Sequence, residues 1–406
     1  MGSYRPSSSM DSPNWHAQAR RGPTDAPSAP QEVPLSAPFF TGREERYVHS
    51  ALNRGWISGA GDYVSKFESL LGAITGRGHV IAVANGTMAI ELALRALGVG
   101  VGSEVIVPAF TFAAPMLCVL AVGAVPVIVD VDPVTWTIDV DEASRRVTKA
   151  TAAIIAVDVL GHPCDYLKLA KIGVPVIQDC AEAHGALHRG KPAGGQGLVS
   201  VFSFHANKAI STGEGGSAGT DDTELADRMR LIANHGMSRS RPYSHAVVGR
   251  NYRMTNLTAA VGLAQAEAWA DLVDARRAVA DRYRSGLAGA GTGEPGTADW
   301  ATRSTWLHTI TTPHREEVVA AVRACGVDAR AVWPPLHRQP VLAGTAQASQ
   351  EHPVAERASS AALWLPTAAG MSGETIDRVV SVVAQAVAAS TRMPRQRISQ
   401  PSPAEE

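Results

Sequence analysis

The chain is sparing with several residue types, and each scarcity excludes something. Four cysteines occur in 406 residues, Cys118, Cys164, Cys180 and Cys325, far apart and with no CxxC pair. That usage excludes a disulfide framework, gives no zinc site, so that no metal is expected, and suits a reducing cytosol. Neither sign of charge is in excess: 37 Lys and Arg stand against 38 Asp and Glu, a formal net charge of -1. Such a balance leaves no electrostatic footprint for nucleic acid or for an anionic membrane. No uninterrupted apolar run reaches the roughly 18 residues of a membrane span. Aromatic residues make up only 5%, so an aromatic at a strand end carries information. What is plentiful is apolar: hydrophobic residues are 45% and charged ones 18%, which excludes wholesale disorder and supplies a sizeable core. The length fits one large domain with a smaller one, or a single large α/β unit.

The two ends have a different composition. Residues 1–37 are rich in Ser, Pro and Arg, with Ser7, Ser8 and Ser9 in a row and Pro23, Pro27, Pro30 and Pro34 breaking any helix. There is no apolar h-region, which excludes a secretory signal, and Asp11, Asp25 and the prolines oppose a transit peptide. A disordered extension is expected over 1–37. A disordered tail is expected over 391–406, where Pro394, Pro401 and Pro403 fall.

Between the ends, apolar runs alternate with helical patterns. HVIAVA (79–84), EVIVPA (104–109), PVIVDV (126–131), AAIIAVDVL (152–160), PVIQD (175–179) and SVFSF (200–204) read as strands, with helices over Thr87–Leu97 and near Pro115–Val122. Strands this apolar are covered on both faces, which implies a mostly parallel sheet between helices, an α/β fold with ligands at the carboxyl ends of the strands. After about Leu272 the pattern changes. A long amphipathic helix is expected over Arg276–Leu287, then a loop over Ala288–Trp300, the strand WLHTI, and helices near Glu316–Cys325 and Gly373–Ala388. The expected division is a large domain over 38–272 and a smaller α+β domain over 273–390.

Four strand ends stand out. Asn85-Gly86-Thr87-Met88 runs from a strand into a helix, whose first N–H groups can hold a phosphate. Phe110 and Phe112 sit together at a second strand end, as core packing or as a ring over a planar ligand. Asp179 ends a buried strand, where an acid must be solvated, paired or functional. Ser203 and Lys208 follow a further strand, and glycines come next, at 213, 215 and 216. A lysine there is a surface charge or an amine able to form a Schiff base. Together the four supply what pyridoxal 5'-phosphate requires: a phosphate cup, a stacking ring, an acid for the ring nitrogen, and a lysine for the aldehyde.

The motifs resemble the DegT/DnrJ/EryC1/StrS family of sugar aminotransferases, a branch of the fold type I pyridoxal-phosphate enzymes. The resemblance covers about Pro38 to Ala388. It rests on WISG at 56–59, ANGTMAIELAL from Ala84, VIVPAFTFAAP from Val105, VIQDCAEAHGA from Val176, VFSFHANKAISTGEGG from Val201 and GRNYRMTNLTAAVGLAQ from Gly249. It implies that Lys208 binds the cofactor and moves the proton, and that Asp179 partners the ring nitrogen. It further implies that Phe112 stacks on the ring and that Gly86, Thr87, Met88 and Ser203 surround the phosphate. Glu182 falls where relatives carry Gln or His near the ring hydroxyl. Asn251 matches a residue that reaches the phosphate across a homodimer interface, which makes the active sites shared. His337 falls in a segment that can approach substrate.

The implied reaction is a ping-pong exchange from an amino acid, L-glutamate, to a keto-sugar or keto-cyclitol. Lys208 argues against the dehydratases of the family, which resemble it but carry His there. An aromatic-forming relative acting on a cyclic keto acid is a further alternative. A regulatory protein would be expected to lack the lysine or the acid, and no GxGxxG marks a dinucleotide fold. His162, His184 and Cys180 read as packed residues, and Asp130 and Asp132 as turn caps.

Overall fold

The apolar runs become strands largely where their patterns place them. In the computed structural model, residues 32–238 and 240–392 are described; the disorder expected over 1–31 and 393–406 lies outside them. The strands are β1 (His79–Val83), β2 (Glu104–Pro108), β3 (Val125–Val129), β4 (Thr151–Val157), β5 (Val176–Asp179), β6 (Leu187–His188), β7 (Lys191–Pro192), β8 (Val199–Ser203), β9 (Gly216–Thr220), β10 (Ala301–Thr302), β11 (His308–Thr311), β12 (Arg330–Ala331) and β13 (Ala362–Leu365). The helices are α1 (Arg43–Asn53), α2 (Asp62–Thr75), α3 (Gly86–Ala96), α4 (Ala114–Ala121), α5 (Val140–Arg145), α6 (Tyr166–Leu169), α7 (Thr223–Ala233), α8 (Asn256–Glu267), α9 (Trp269–Gly286), α10 (Arg315–Ala324), α11 (Pro353–Ala361) and α12 (Gly373–Ser390).

The main sheet has the order β1-β9-β8-β5-β4-β2-β3. Strands β8, β5, β4, β2 and β3 run parallel. Strand β9 is antiparallel to both its neighbours. Side chains alternate between the two faces, as a strand requires. Ile81, Val83, Val105 and Val107 pack with residues of α3, α4 and α7. Val80, Ala82 and Phe202 pack with α2 and α8, and Ile106, Val127 and Ile154 with α5 and α6. Both faces are therefore covered, as the uniformly apolar strands required. Among the described residues, no helix is long and apolar enough to cross a membrane.

Strand β9 was not expected. Its sequence, GSAGT, lacks the β-branched run that marks the other strands. It forms because a strand without bulk fits between β1 and β8: a Cβ on Gly219 would lie 3.1 Å from Ser200 Oγ. Toward the C-terminus, β11, β13 and β12 form a second sheet, all pairs antiparallel. It packs through Ile310, Leu363 and Leu365 on Val318 and Val322 of α10 and Val379 and Val383 of α12. Helix α9 begins at Trp269 rather than Arg276 and touches both assemblies. Its Leu272 packs beneath the main sheet and its Tyr283 in the C-terminal cluster, where the phenol donates to Pro366 O at 2.8 Å.

The end of the expected extension needs correction. The Val33 N–H donates to Gly326 O at 2.9 Å, and Val33 and Leu35 are buried. Ser36 Oγ donates to Asn207 O at 3.3 Å and to Thr367 O at 3.1 Å. Two apolar side chains and a row of backbone bonds hold the segment, and Pro34 suits it because an extended segment is what proline favours.

Candidate active site

The site is assembled at the carboxyl ends of β5 and β8 and the start of α3. Asp179 is the last residue of β5. Its Oδ1 accepts the Ala181 N–H at 3.0 Å, and burial pushes its carboxyl up to about 6, against that bond and the charge of Lys208. Glu182 follows in the turn, 4% exposed, with Oε2 accepting the Leu160 N–H at 2.8 Å. Burial raises its carboxyl to about 7, and the Lys208 charge is the main opposing influence. Lys208 is 9% exposed. Its Nζ lies 3.9 Å from Glu182 Oε1 and 3.9 Å from the centroid of the Trp306 ring. Burial pulls the amine below the ordinary lysine range; Glu182 and then Asp179 pull it back, and Arg276 adds to the depression.

The lysine loop is closed at both ends. Ser203 and Gly216 are register partners of β8 and β9, and the Phe204 N–H donates to Gly215 O at 2.8 Å. Within it the Lys208 N–H donates to His205 O at 2.9 Å. Arg276 of α9 then holds the loop from outside. Its guanidinium donates to Lys208 O at 2.9 Å, to Trp306 O at 2.7 Å and to Ser36 Oγ at 3.1 Å. Sequence reasoning read Arg276 only as the start of an amphipathic helix. The available signal was its place on the inner face of α9, among Leu272, Val273, Val279 and Ala280.

Helix α3 starts as expected, with one difference. Asn85 is its N-cap, and the Oδ1 accepts the Met88 N–H at 2.8 Å. The Met88 N–H, expected to face a phosphate, is thus engaged by the cap, as an N-cap asparagine dictates. Gly86 and Thr87 supply the first N–H groups. Small residues floor the cup: a Cβ on Gly86 would lie 2.8 Å from Ser203 Cβ, and one on Gly216 would lie 2.7 Å from Gly86 N.

Phe112 lies 55% exposed beyond β2, while Phe110 is buried against Trp136 and Trp333. The ring available to a ligand is therefore Phe112. Asn251 is exposed, and its Oδ1 accepts from Arg253 N at 3.3 Å and Nε at 3.1 Å. His337, expected to approach substrate, is instead buried. Its Nε2 contacts Glu356 Oε1 at 3.0 Å, and its ring packs 4.7 Å from that of His352. The cause is the turn at Leu336–Arg338, anchored by the Leu336 N–H on Ala109 O at 2.8 Å.

The packed reading of the remaining residues agrees with the structure. His162 accepts the Ala298 N–H at 3.0 Å on Nε2, and burial depresses its ring to about 4. His184 sits between Phe202, Phe204 and Trp269, depressed to about 3 by burial. Cys180 is a buried core residue. Asp132 caps its own turn through the Val134 and Thr135 N–H groups, whereas Asp130 caps the distant α11 through Val354 and Ala355, both at 2.9 Å. Asp158 was missed. It is fully buried beside β5 and takes bonds from Tyr166 Oη at 2.6 Å and Gln178 Nε2 at 2.8 Å.

A buried amine, two buried acids and an open, glycine-floored helix start fit the aldehyde, ring and phosphate of pyridoxal phosphate. On this sheet, they define a fold type I pyridoxal-phosphate enzyme. Comparison with known proteins makes the assignment definite. The chain belongs to the DegT/DnrJ/EryC1/StrS aminotransferase family, whose model matches residues 40–384, and is a pyridoxal-phosphate-dependent aminotransferase. It is 38% identical over 364 residues to a GDP-perosamine synthase of Caulobacter vibrioides, covering 87% of this chain and 98% of the relative. It is 36% identical over 351 residues to a GDP-perosamine synthase of Escherichia coli O157:H7, covering 85% and 95%. The solved structure of DesV from S. venezuelae superposes with a TM-score of 0.83 at 33% identity, covering 90% of this chain and 100% of that one.

Proposed function

We propose that this aminotransferase moves an amino group from L-glutamate to a keto group of a nucleotide-linked deoxysugar, in the assembly of an antibiotic or a polysaccharide sugar. The observation that carries the reading is the buried Lys208 between Glu182 and Trp306, beside Asp179. The sugar acceptor is supported by the relatives, two of which are GDP-perosamine synthases. When bound, pyridoxal phosphate supplies an aldehyde for the amino group and a ring that accepts the electron pair left when a carbon loses its proton.

The residues divide the remaining work. Lys208 would bind the cofactor through its aldehyde and, when its amine is free, would move the proton. Asp179 keeps the ring nitrogen protonated, and Glu182 faces the ring hydroxyl. Gly86, Thr87 and Ser203 surround the phosphate, and Phe112 covers the ring. Asn251 reaches the phosphate of a second copy, so the working form is a homodimer. We place the protein in the cytoplasm, with 38–272 as its cofactor-binding domain and 273–390 as the smaller one.

Absorbance of the purified protein tests this. With the cofactor, a visible band is expected that bleaches on adding L-glutamate and returns with a GDP-linked keto-deoxysugar. Lys208→Ala is expected to lack the band. Return only with a keto-cyclitol would replace the sugar acceptor; indifference to glutamate would overturn the donor.

A further inference from the structure

The Lys208 amine is free in one phase of the proposed reaction, after the donor has taken its place, and it must then be neutral to accept a proton from carbon. Its charged surroundings come from three elements. The end of β5 and the turn after it supply Asp179, Glu182 and His184, the last a neutral buried ring. Helix α9 supplies Arg276, whose guanidinium is held by the Lys208 carbonyl. The segment before β11 supplies the Trp306 face, which attracts an ammonium. Of the two acids, Glu182 is the one within ion-pair distance, with Oε1 at 3.9 Å. Only its Oε2 is engaged, by the Leu160 N–H. Oε1 takes no other hydrogen bond among the described residues. Asp179, by contrast, spends Oδ1 on the Ala181 N–H.

A buried ion pair is costly unless hydrogen bonds complete it. Passing the proton across turns two buried charges into two neutral groups at no change in net charge. The Trp306 face favours the charged form and burial the neutral one, so they act in opposite directions. A small rotation of either side chain closes 3.9 Å to hydrogen-bond distance.

We propose that Glu182 is the proton partner of Lys208, and not only a cap for the Leu160 amide. In the step, an Nζ–H bond breaks, its electron pair stays on nitrogen, and an Oε1–H bond forms. The amine so released takes the proton from the donor carbon, and Glu182 returns its own proton when the charged lysine is next required. No further reactant enters. The proposal rests on the aminotransferase reading above, but its test reads the amine itself and is independent of the sugar.

The test is the pH profile of Lys208 modification by formaldehyde and cyanoborohydride, read by peptide mass spectrometry on the full-length protein without added cofactor. Wild type is compared with Glu182→Gln and Glu182→Asp. Gln keeps an acceptor for Leu160 and loses the charge. Wild type is expected to gain reactivity in two steps, as a coupled pair does. Glu182→Gln is expected to show one step, its midpoint lower by about 1–3 pH units. Turnover of the loaded Gln variant should fall by about 10²-fold or more with the donor KM unchanged. Glu182→Asp should return the midpoint toward wild type. A Gln profile that superimposes on wild type overturns the proposal. So does an Asp profile identical to that of Gln, because charge would then play no part. Should the Gln variant not fold, the Asp profile against wild type decides: two steps support the pair, one step sinks it.

Discussion

Arg276 shows how much one side chain can hold. Its guanidinium ties Lys208 O, Trp306 O and Ser36 Oγ, groups 68, 30 and 240 residues away along the chain. Burial lowers it to about 10. A lysine in its place keeps the charge but offers a single point where the guanidinium offers a fork. Arg276→Lys is therefore expected to leave acceptors unpaired and to cost about 2–5 kcal/mol of stability, at roughly 1–3 kcal/mol per orphaned group. Urea unfolding of the two proteins measures it, and a loss under about 1 kcal/mol would show that water replaces the missing bonds. The same residue marks the limit of what a sequence exposes. Lys208 and Asp179 drew notice because Asp179 ends one apolar strand and Lys208 lies in the loop that leaves another. Arg276 was not, because its acceptors are mainly backbone carbonyls, which no residue letter announces. Met88 shows a related limit: its own side chain does not decide where its N–H goes, and here the Asn85 cap accepts it.

At the scale of elements, strands with β-branched runs were readable and β9 was not. A strand of Gly, Ser, Ala and Thr is defined by the space its neighbours leave, which is tertiary information. Helix α8 is similar: its small apolar residues are buried around much of its circumference, so no stripe betrays it. Strand β11 overlaps the expected run WLHTI but begins two residues later, at His308, and it contains a pH-sensitive group. His308 is buried beside Tyr283, rings 5.1 Å apart, and burial depresses its ring to about 3. A histidine depressed in the folded state stabilises fully above its unfolded value near 6.5, and that contribution is lost as pH falls toward 3. The loss runs at about 1.4 kcal/mol per pH unit. His308→Phe removes it. Relative to wild type, the variant should gain about 1 kcal/mol between pH 6.5 and pH 5.5 in urea titrations, because the full slope is reached only below the unfolded value. An equal pH response in the two proteins would mean that His308 is protonated in the fold.

For the whole molecule, exposure is the informative quantity. Phe112, Trp56 and Ile57 are large apolar side chains open to solvent. The Trp56 segment is nonetheless firmly placed: Asn256 Nδ2 donates to Trp56 O at 2.6 Å, and the Asn256 N–H donates to Ser58 O at 2.8 Å. Firmly placed, exposed apolar groups suit coverage by a second copy. If Asn251 serves the neighbouring site, Lys208→Ala and Asn251→Ala are each inactive alone. Unfolded together and refolded, they should recover up to about a quarter of wild-type activity, since half the dimers then carry one intact site. No recovery would place Asn251 in its own subunit's site.

The Ser36 clamp has a consequence for how the enzyme comes to be. Its partners, Asn207 and Thr367, stand 171 and 331 positions away, so the strap that steadies the lysine loop closes long circuits. Closing long loops is slow relative to local pairing. The parallel strands and the β8–β9 hairpin can assemble without it, whereas the strap must wait until β13 and the turn after it are in place. The Lys208 loop is therefore expected to gain its Ser36 constraint after the sheet has formed.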